Sequence, residues 1–316
     1  MLLFCWLWRD CSIDTLSTKL PGYRITRQVG TGAGSKIYVA TELKTGNTVA
    51  AKHIVRNTAE ELRFFKQAET EFAVGSKLNH PNLRRIYAIH RIRRRLQVKE
   101  LLVVMEYVDG LSLEKARPNR LNTFLKLFHK VAIGLDAMHQ AGYIHTDIKP
   151  TNIMLARGGA MKIIDFGQSC PIHHRKERIQ GTPDYIAPEQ VRRFRLDQRT
   201  DVFNLGATMY WVLTSEKYPT EIRGTDSRGG ISLMSPDRPV APIELNDKIP
   251  LSLSKLVMEC CRESPAERPA DMKQVIARLA VVHKLWRQFR ESVRAERRTA
   301  VHPPANEATQ TTEDDA

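Results

Sequence analysis

Apolar and polar residues alternate along much of the first third of the chain, which is the pattern of half-buried β-strands. Four runs fit this pattern: residues 23–40, which surround a glycine cluster, and residues 48–54, 83–90 and 101–108. The basic residues 91–95 separate the last two runs and are predicted to connect them. This part of the chain is therefore predicted to form mainly strands.

Helical spacing of apolar residues occurs once in this part and dominates the rest of the chain. Residues 59–78 show it first, and a His-Pro-Asn sequence at residues 80–82 ends that helix. After an Asp-Gly pair at residues 109–110, further helices are predicted at residues 121–140, 200–213, 253–261 and 272–296. A β-rich part followed by a helical part predicts an α+β fold with two lobes.

The two ends of the chain differ from the rest. Residues 1–8 are almost wholly apolar, but a transmembrane helix needs about 20 such residues, and a signal peptide needs a basic start. They could pack on the domain, contact a membrane surface, or reflect a start set too early. Residues 301–316 are rich in Pro, Thr and acidic residues, so we expect disorder. The predicted division is an apolar extension (1–19), a folded domain (20–283, with lobes at about 20–108 and 109–283), and a basic helix with a tail (284–316).

Composition and charge narrow the class of protein. The chain has 316 residues, of which 42% are hydrophobic and 27% charged, as in ordinary globular proteins. Its net charge of +14 is compatible with nucleic acid, anionic membranes or acidic proteins as partners. We interpret the charge as a solvated surface and expect no nucleic acid partner, because no aromatic-interleaved basic motif occurs. The five cysteines lack C-x-x-C or zinc-ligand spacing, which favours reduced thiols and a cytoplasmic location.

A polar cluster bracketed by apolar residues lies at the centre of the chain, in residues 143–155. It contains Asp147, Lys149 and Asn152, and Pro150 predicts that they lie on a loop rather than in a helix. A carboxylate can take a hydroxyl proton, an ammonium can neutralise a moving phosphate, and an amide oxygen can bind Mg²⁺. This set suits phosphoryl transfer, although a polar turn between two buried strands is the structural alternative.

Three further segments fit the same chemistry. Residues 30–37 (Gly-Thr-Gly-Ala-Gly-Ser-Lys-Ile) could bring backbone N–H groups close to phosphates, or form a tight hairpin. Residues 49–52 (Val-Ala-Ala-Lys) place a lysine on a strand, and residues 165–167 (Asp-Phe-Gly) place a carboxylate at a strand end. Each segment alone is a modest signal, so their order along the chain carries the argument.

In that order, these segments resemble the catalytic domain of eukaryotic-type serine/threonine protein kinases. The central loop resembles His-Arg-Asp-x-x-x-x-Asn, with Thr146 where Arg is usual. The glycine run resembles Gly-x-Gly-x-x-Gly-x-Val, with Ser35 at the third glycine. Residues 181–189, which end in Ala-Pro-Glu, resemble the end of an activation segment. The resemblance covers about residues 23–279.

The resemblance implies a bilobal fold, with ATP and Mg²⁺ as cofactors and a role for each motif residue. It makes Asp147 the catalytic base and Lys149 the residue that neutralises the phosphate. The implied ATP-binding residues are Gly30, Gly32, Ile37, Ala50, Lys52, Glu71, Glu106, Val108 and Met154, and the implied metal ligands are Asn152 and Asp165. Glu61 and Glu69 compete with Glu71 as partner of Lys52.

Two structural roles also follow from the resemblance. Glu189 is expected to form a buried ion pair with Arg268, and Asp201 is expected to fix the backbone of the catalytic loop. Alternatively, Asp201 is simply an acidic residue in the first turn of a helix, where a carboxylate is favourable.

The implied function is ATP-dependent phosphorylation of Ser and Thr hydroxyls in protein substrates, as in signalling kinases. A pseudokinase that binds nucleotides or partners is the main alternative, and a small-molecule kinase of related fold is another. The sequence indicates neither the physiological substrate nor the oligomeric state.

The first testable prediction concerns regulation. In kinases with Arg before the catalytic Asp, a phosphate on the activation segment binds that Arg and orders the segment. Here Thr146 replaces the Arg, and residues 171–180 contain no Ser, Thr or Tyr. Protein made in bacteria, treated with phosphatase and shown to be phosphate-free by mass spectrometry, should therefore still phosphorylate a generic substrate. Loss of activity traced to a phosphate on Ser169 or Thr182 would contradict this account.

Overall fold

The computed structural model describes Leu16 and residues 20–32, 34–225, 231–233 and 238–301. Most of the predicted apolar extension and the predicted disordered tail beyond residue 301 lie outside these residues. Within them, no helix is both long and apolar enough to cross a membrane.

The first lobe is an antiparallel sheet of five strands with one helix packed on it. Its strands have the spatial order β1-β2-β3-β5-β4, and the helix contacts β3, β4 and β5. The bounds of these elements are β1 Tyr23–Gly32, β2 Ser35–Glu42, β3 Thr48–Val55, α1 Leu62–Gly75, β4 Ile86–Arg94 and β5 Gln97–Glu106.

β5 is buried on both faces because residues 101–105 (Leu-Leu-Val-Val-Met) are continuously apolar. The odd-numbered side chains join the main core together with Phe65 of α1. The even-numbered ones join a second cluster on the opposite face, with Leu20 and Ile25. Because successive side chains of a strand point to opposite faces, β5 contributes side chains to both cores of this lobe.

The prediction for the basic residues 91–95 was wrong. Residues 91–94 continue β4, and only Arg95, whose φ is 55°, lies in the turn that joins β4 to β5. The register pairs Arg94 with Gln97. Because β4 is at the edge of the sheet, its arginine side chains reach solvent while the backbone pairs with β5.

The second lobe is mostly helical, with short strands next to the first lobe. The strands β6, β8 and β9 form one small sheet, and β7 pairs with β10. The elements are β6 Gly110–Ser112, α2 Leu121–Gln140, β7 Tyr143–Ile144, β8 Ile153–Ala156, β9 Met161–Ile163, β10 Cys170–Pro171, α3 Pro188–Val191, α4 Gln198–Thr214, β11 Ile222–Thr225, β12 Ile231–Leu233, α5 Pro242–Leu245, α6 Leu251–Cys260 and α7 Met272–Val301.

Two helices organise this lobe. α2 has the bounds that its apolar stripe predicted, and it packs along α7. α4 is buried from Thr200 to Tyr210 on all sides, and Asp197 caps its start by accepting a hydrogen bond from the N–H of Arg199 at 2.9 Å. The predicted two-lobed α+β fold is confirmed.

The predicted ion pair between Glu189 of α3 and Arg268 is present and buried. Two guanidinium nitrogens of Arg268 donate to the two carboxylate oxygens at 2.7 and 2.8 Å, and the arginine side chain is 0% exposed. The remaining N–H groups of Arg268 reach three backbone carbonyls, those of Arg199, Arg262 and Glu263. The end of the activation segment is therefore fixed to the loop before α7.

Removing Arg268 tests this tether. Arg268→Ala leaves the Glu189 carboxylate buried without its partner, which typically costs about 3–5 kcal/mol of unfolding free energy. Lys255→Ala, at an exposed position of α6, is the control and should change stability by less than about 0.5 kcal/mol. Urea unfolding measures both, and equal stability of the two variants would contradict the tether. The pair Glu189→Leu with Arg268→Met should recover much of the loss, because no charge then stays unpaired.

Candidate active site

The ammonium of Lys52, on β3, lies at the junction of the two lobes. Its Nζ is 2.6 Å from Oε2 of Glu71 on α1 and 3.8 Å from Oδ1 of Asp165. Burial lowers the pKa of Lys52, but the two carboxylates outweigh this effect and raise the pKa above its ordinary value. Lys52 is therefore a fixed positive charge near physiological pH.

The structure selects Glu71 among the three glutamates considered as partners of Lys52. Glu71 is 1% exposed, on the face of α1 that packs on the sheet. The carboxylate of Glu61 instead accepts hydrogen bonds from backbone N–H groups just before α1, at 2.6 and 3.1 Å. Glu69 lies 3.5 Å from Arg91 and is half-exposed.

Asp165 follows β9 of the second lobe and lies close to Lys52 of the first lobe. Its φ is 65°, a strained conformation for a residue other than glycine, and such strain is typical of functional sites. Burial tends to raise the pKa of Asp165, but Lys52, His145 and the N–H of Gly167 lower it below its ordinary value. Its side chain is still 43% exposed, so the charged carboxylate is open to a ligand.

The carboxylate of Asp147 is the most heavily hydrogen-bonded group of the site. Its Oδ1 accepts from the Thr182 hydroxyl at 2.8 Å. Its Oδ2 lies 2.9 Å from Nζ of Lys149, 3.1 Å from Nε2 of Gln168 and 3.3 Å from Nδ2 of Asn152. The residue is 3% exposed. These donors fix the orientation of the carboxylate.

Asp201, at the start of α4, holds the backbone of the catalytic loop. Its carboxylate accepts from the N–H groups of His145 at 2.8 Å and Thr146 at 2.7 Å, and Nε2 of His139 is 2.7 Å away. Burial tends to raise the pKa of Asp201, but the hydrogen bond with His139 and these other contacts lower it. The anchoring role predicted for Asp201 is confirmed. It supports Thr146 at a φ of 64°, where an L-residue is strained.

The residues predicted to bind metal fit Mg²⁺. Nδ2 of Asn152 donates to the carbonyl of Asp147 at 2.8 Å, which leaves the amide oxygen for a cation. The N–H of Ile164 donates to the carbonyl of Asn152 at 2.9 Å, so Asp165 is close by. Among the residues that the structure describes, no group of three His, Cys, Asp or Glu could hold a metal. Mg²⁺ bound with a nucleotide needs only one or two protein oxygens together with phosphates and water.

The residues predicted to surround the phosphates and the nucleotide ring are connected by strand pairing. Across the first lobe, Gly30 pairs with Ile37, Ile37 with Lys52, and Ala50 with Met105. Gly32 pairs with Ser35 at the tip of the same hairpin. The second strand of the glycine hairpin, β2, therefore lies next to β3, which carries Lys52.

The other residues predicted to contact the adenine ring lie in the segment between the lobes and on β8. The N–H of Glu106 already donates to the carbonyl of Arg85 at 2.8 Å, so only its carbonyl is left for an adenine ring. Among the described residues, neither backbone group of Val108 has a hydrogen-bond partner. Met154 of β8 pairs with Lys162 of β9, whose ammonium is 2.8 Å from the carboxylate of Glu106.

Sequence reasoning missed three residues of the site. Gln168 contacts Asp147, as described above, and its position directly after Asp-Phe-Gly was the available signal. Arg84 donates to the sulfur of Met105 at 3.1 Å, and burial lowers its pKa while Glu71 and Asp165 oppose this effect. It was interpreted only as a strand residue. Lys176 is the third: the sequence indicates it only as one of several basic residues that could order the segment, and nothing in that run distinguishes it.

Comparison with known proteins agrees with the resemblance that the sequence motifs indicate. Residues 23–281 match the family described as the protein kinase domain. Serine/threonine-protein kinase A of Synechocystis is 32% identical, over 80% of this chain and 52% of that protein. Serine/threonine-protein kinase PknB of Mycobacterium tuberculosis is 28% identical, over 83% of this chain and 43% of that protein. The chain thus spans about half the length of these curated relatives.

Replacing Lys52 tests the arrangement of charges in the cleft. Lys52→Met keeps the apolar stem and removes the ammonium next to Glu71. We expect kcat for phosphate transfer from labelled ATP to fall on the order of 10²-fold or more, as for other lost electrostatic contacts. Lys66→Met, at an exposed position of α1, is the matched control and should behave like the wild type. Wild-type turnover of Lys52→Met would overturn the assignment.

Proposed function

Because the chain belongs to the protein kinase domain family, we propose that it transfers the γ-phosphate of ATP to serine and threonine hydroxyls of proteins. The relatives that it resembles over most of its length are serine/threonine-protein kinases, which supports this choice of acceptor. A signalling role follows from the same similarity.

One observation carries the proposal: a threonine hydroxyl already sits against the carboxylate of Asp147. Oγ1 of Thr182 donates to Asp147 at 2.8 Å and accepts from Nζ of Lys149 at 2.7 Å. A substrate hydroxyl that makes the same two contacts could give its proton to Asp147 while Lys149 offsets negative charge on the phosphoryl group. The geometry therefore suits a Ser or Thr acceptor.

The nucleotide side of the reaction follows from the charges in the cleft. Lys52, held by Glu71, would contact the α- and β-phosphates, and the glycine hairpin with Gly30 and Gly32 would cover them. Asn152 and Asp165 would hold Mg²⁺, which neutralises charge on the β- and γ-phosphates when bound with ATP. These residues orient the phosphates toward Asp147, so catalysis rests on position and charge rather than on a covalent intermediate.

The pseudokinase alternative finds no support in this arrangement. Pseudokinases typically lose a catalytic group, whereas Lys52, Asp147, Asn152 and Asp165 are all present and in mutual reach through the contacts above. A small-molecule kinase would not need the Ala-Pro-Glu segment, which here is tied down through Glu189. Protein phosphorylation is the function that these residues support best.

The proposal is tested with purified protein, labelled ATP and a generic protein substrate. The wild type should transfer phosphate only with Mg²⁺, and phosphoamino-acid analysis should give phosphoserine and phosphothreonine. Asp147→Asn keeps the shape but removes the proton acceptor, so transfer should fall by about 10²- to 10⁴-fold. Asp247→Asn, at an exposed position, is the control. Mostly phosphotyrosine would refute the proposed acceptor, and full activity of Asp147→Asn would refute the proposed base.

A further inference from the structure

The ammonium of Lys176 is buried, although the residues next to it on the activation segment reach solvent. Lys176 is 8% exposed, whereas Arg175, Glu177 and Arg178 are exposed. Its Nζ donates to Oγ1 of Thr146 and to the carbonyl of Gln168, both at 2.6 Å. A charged side chain is rarely buried unless it is paired or hydrogen-bonded, so this position needs an explanation.

The partners of Lys176 belong to the catalytic machinery. Thr146 directly precedes Asp147, and its hydroxyl donates to the carbonyl of Gln168 at 2.8 Å. Gln168 in turn donates from its side chain to the carboxylate of Asp147 at 3.1 Å. Lys176, Thr146 and Gln168 therefore form a closed triangle of contacts, and Gln168 connects this triangle to the catalytic carboxylate.

The surroundings of the Lys176 ammonium act in opposite directions. Burial and the exposed Arg178 lower its pKa below the ordinary value, and Cys170 and the carboxylates of Asp147 and Asp201 offset only part of that decrease. The ammonium thus contacts only uncharged oxygens while two buried carboxylates of the neighbouring loop and helix favour its charge. Lys176 therefore places a positive charge near Asp147, whereas Thr146, at the position where arginine is usual, has no charge.

A second contact fixes the same segment farther along. Nε2 of Gln190, on α3, donates to the carbonyl of Thr146 at 2.8 Å and to the carbonyl of Gln180 at 3.0 Å. The segment is therefore attached to Thr146 twice, directly through Lys176 and indirectly through Gln190.

We propose that Lys176 is a positioning residue, whose ammonium holds residues 168–180 against the catalytic loop and orients Asp147 through Gln168. The proposal rests on the function proposed above. It also gives a cause for the expectation that activity needs no phosphate on the activation segment. Here the Lys176 ammonium holds the segment in place, whereas in other kinases a phosphate bound to an arginine does so.

The experiment compares Lys176→Met with Arg178→Met, which removes one positive charge from an exposed site on the same segment. For Lys176→Met we expect kcat to fall by about 10- to 100-fold, because a small displacement of a catalytic group has effects of this size. Its KM for ATP should stay within about twofold of the wild type, because the nucleotide contacts are elsewhere. Arg178→Met should keep both constants.

Hydrogen exchange gives a readout that does not depend on activity. Backbone amides of residues 168–180 should exchange faster in Lys176→Met than in the wild type or Arg178→Met, while amides of α2 and α4 stay protected. Unchanged exchange in this segment would refute the attachment, even for a protein that transfers no phosphate. An inactive wild type with the expected exchange pattern would instead refute the proposed function alone.

A double-mutant cycle separates positioning from general destabilisation. Thr146→Val removes the hydroxyl that Lys176 contacts and keeps the shape of the side chain. If the two residues act through one contact, the effects of Thr146→Val and Lys176→Met on kcat should be clearly less than additive. Additive effects, or wild-type kcat in Lys176→Met, would overturn the proposal.

Discussion

The catalytic loop depends on one buried carboxylate, that of Asp201. Both of its oxygens accept backbone N–H groups of the loop, from His145 and Thr146, and no solvent competes for them. This fixes His145 and the strained Thr146, the two residues immediately before Asp147, and thereby the position of the carboxylate that we propose as the catalytic base. α4 can supply this anchor because it is buried on all sides, and its first turn favours a negative charge.

The second lobe combines several buried charges around this anchor. Arg268 neutralises Glu189 at the end of the activation segment, and Lys176 lies near Asp147 and Asp201 in the middle of it. Buried charges add little net stability compared with apolar residues, but a change of partner would leave a charge unpaired at high cost. We interpret them as the contacts that hold the segment in the conformation in which Thr182 contacts Asp147.

The sequence was informative where a signal is local. Helix α2 was predicted with its observed bounds because its apolar stripe is long and Gly142 ends it. Lys52, Asp147 and Asp165 could be named from the sequence because each lies in a short motif, and the structure brings Lys52 within 3.8 Å of Asp165. Gln168 and Lys176 were not found as contacts of Thr146, because these contacts join positions 22 and 30 residues apart without any periodic pattern. The basic hairpin was misread because a run of basic residues resembles an exposed loop, and no local signal shows that these residues lie on the edge strand β4.

The position of β4 at the edge of the sheet affects how copies of the chain can associate. An edge strand presents unpaired backbone groups that a strand from another molecule can join. On β4, the side chains of Arg91, Arg93 and Arg94 are exposed along these groups, and Glu69 and Glu100, which pair with Arg91 and Arg94, leave a net positive charge. Two such edges repel each other at short range, and the repulsion weakens as salt shortens the screening length to about 8 Å at physiological ionic strength. The arginines thus oppose sheet-to-sheet aggregation of the first lobe, most effectively in dilute buffer.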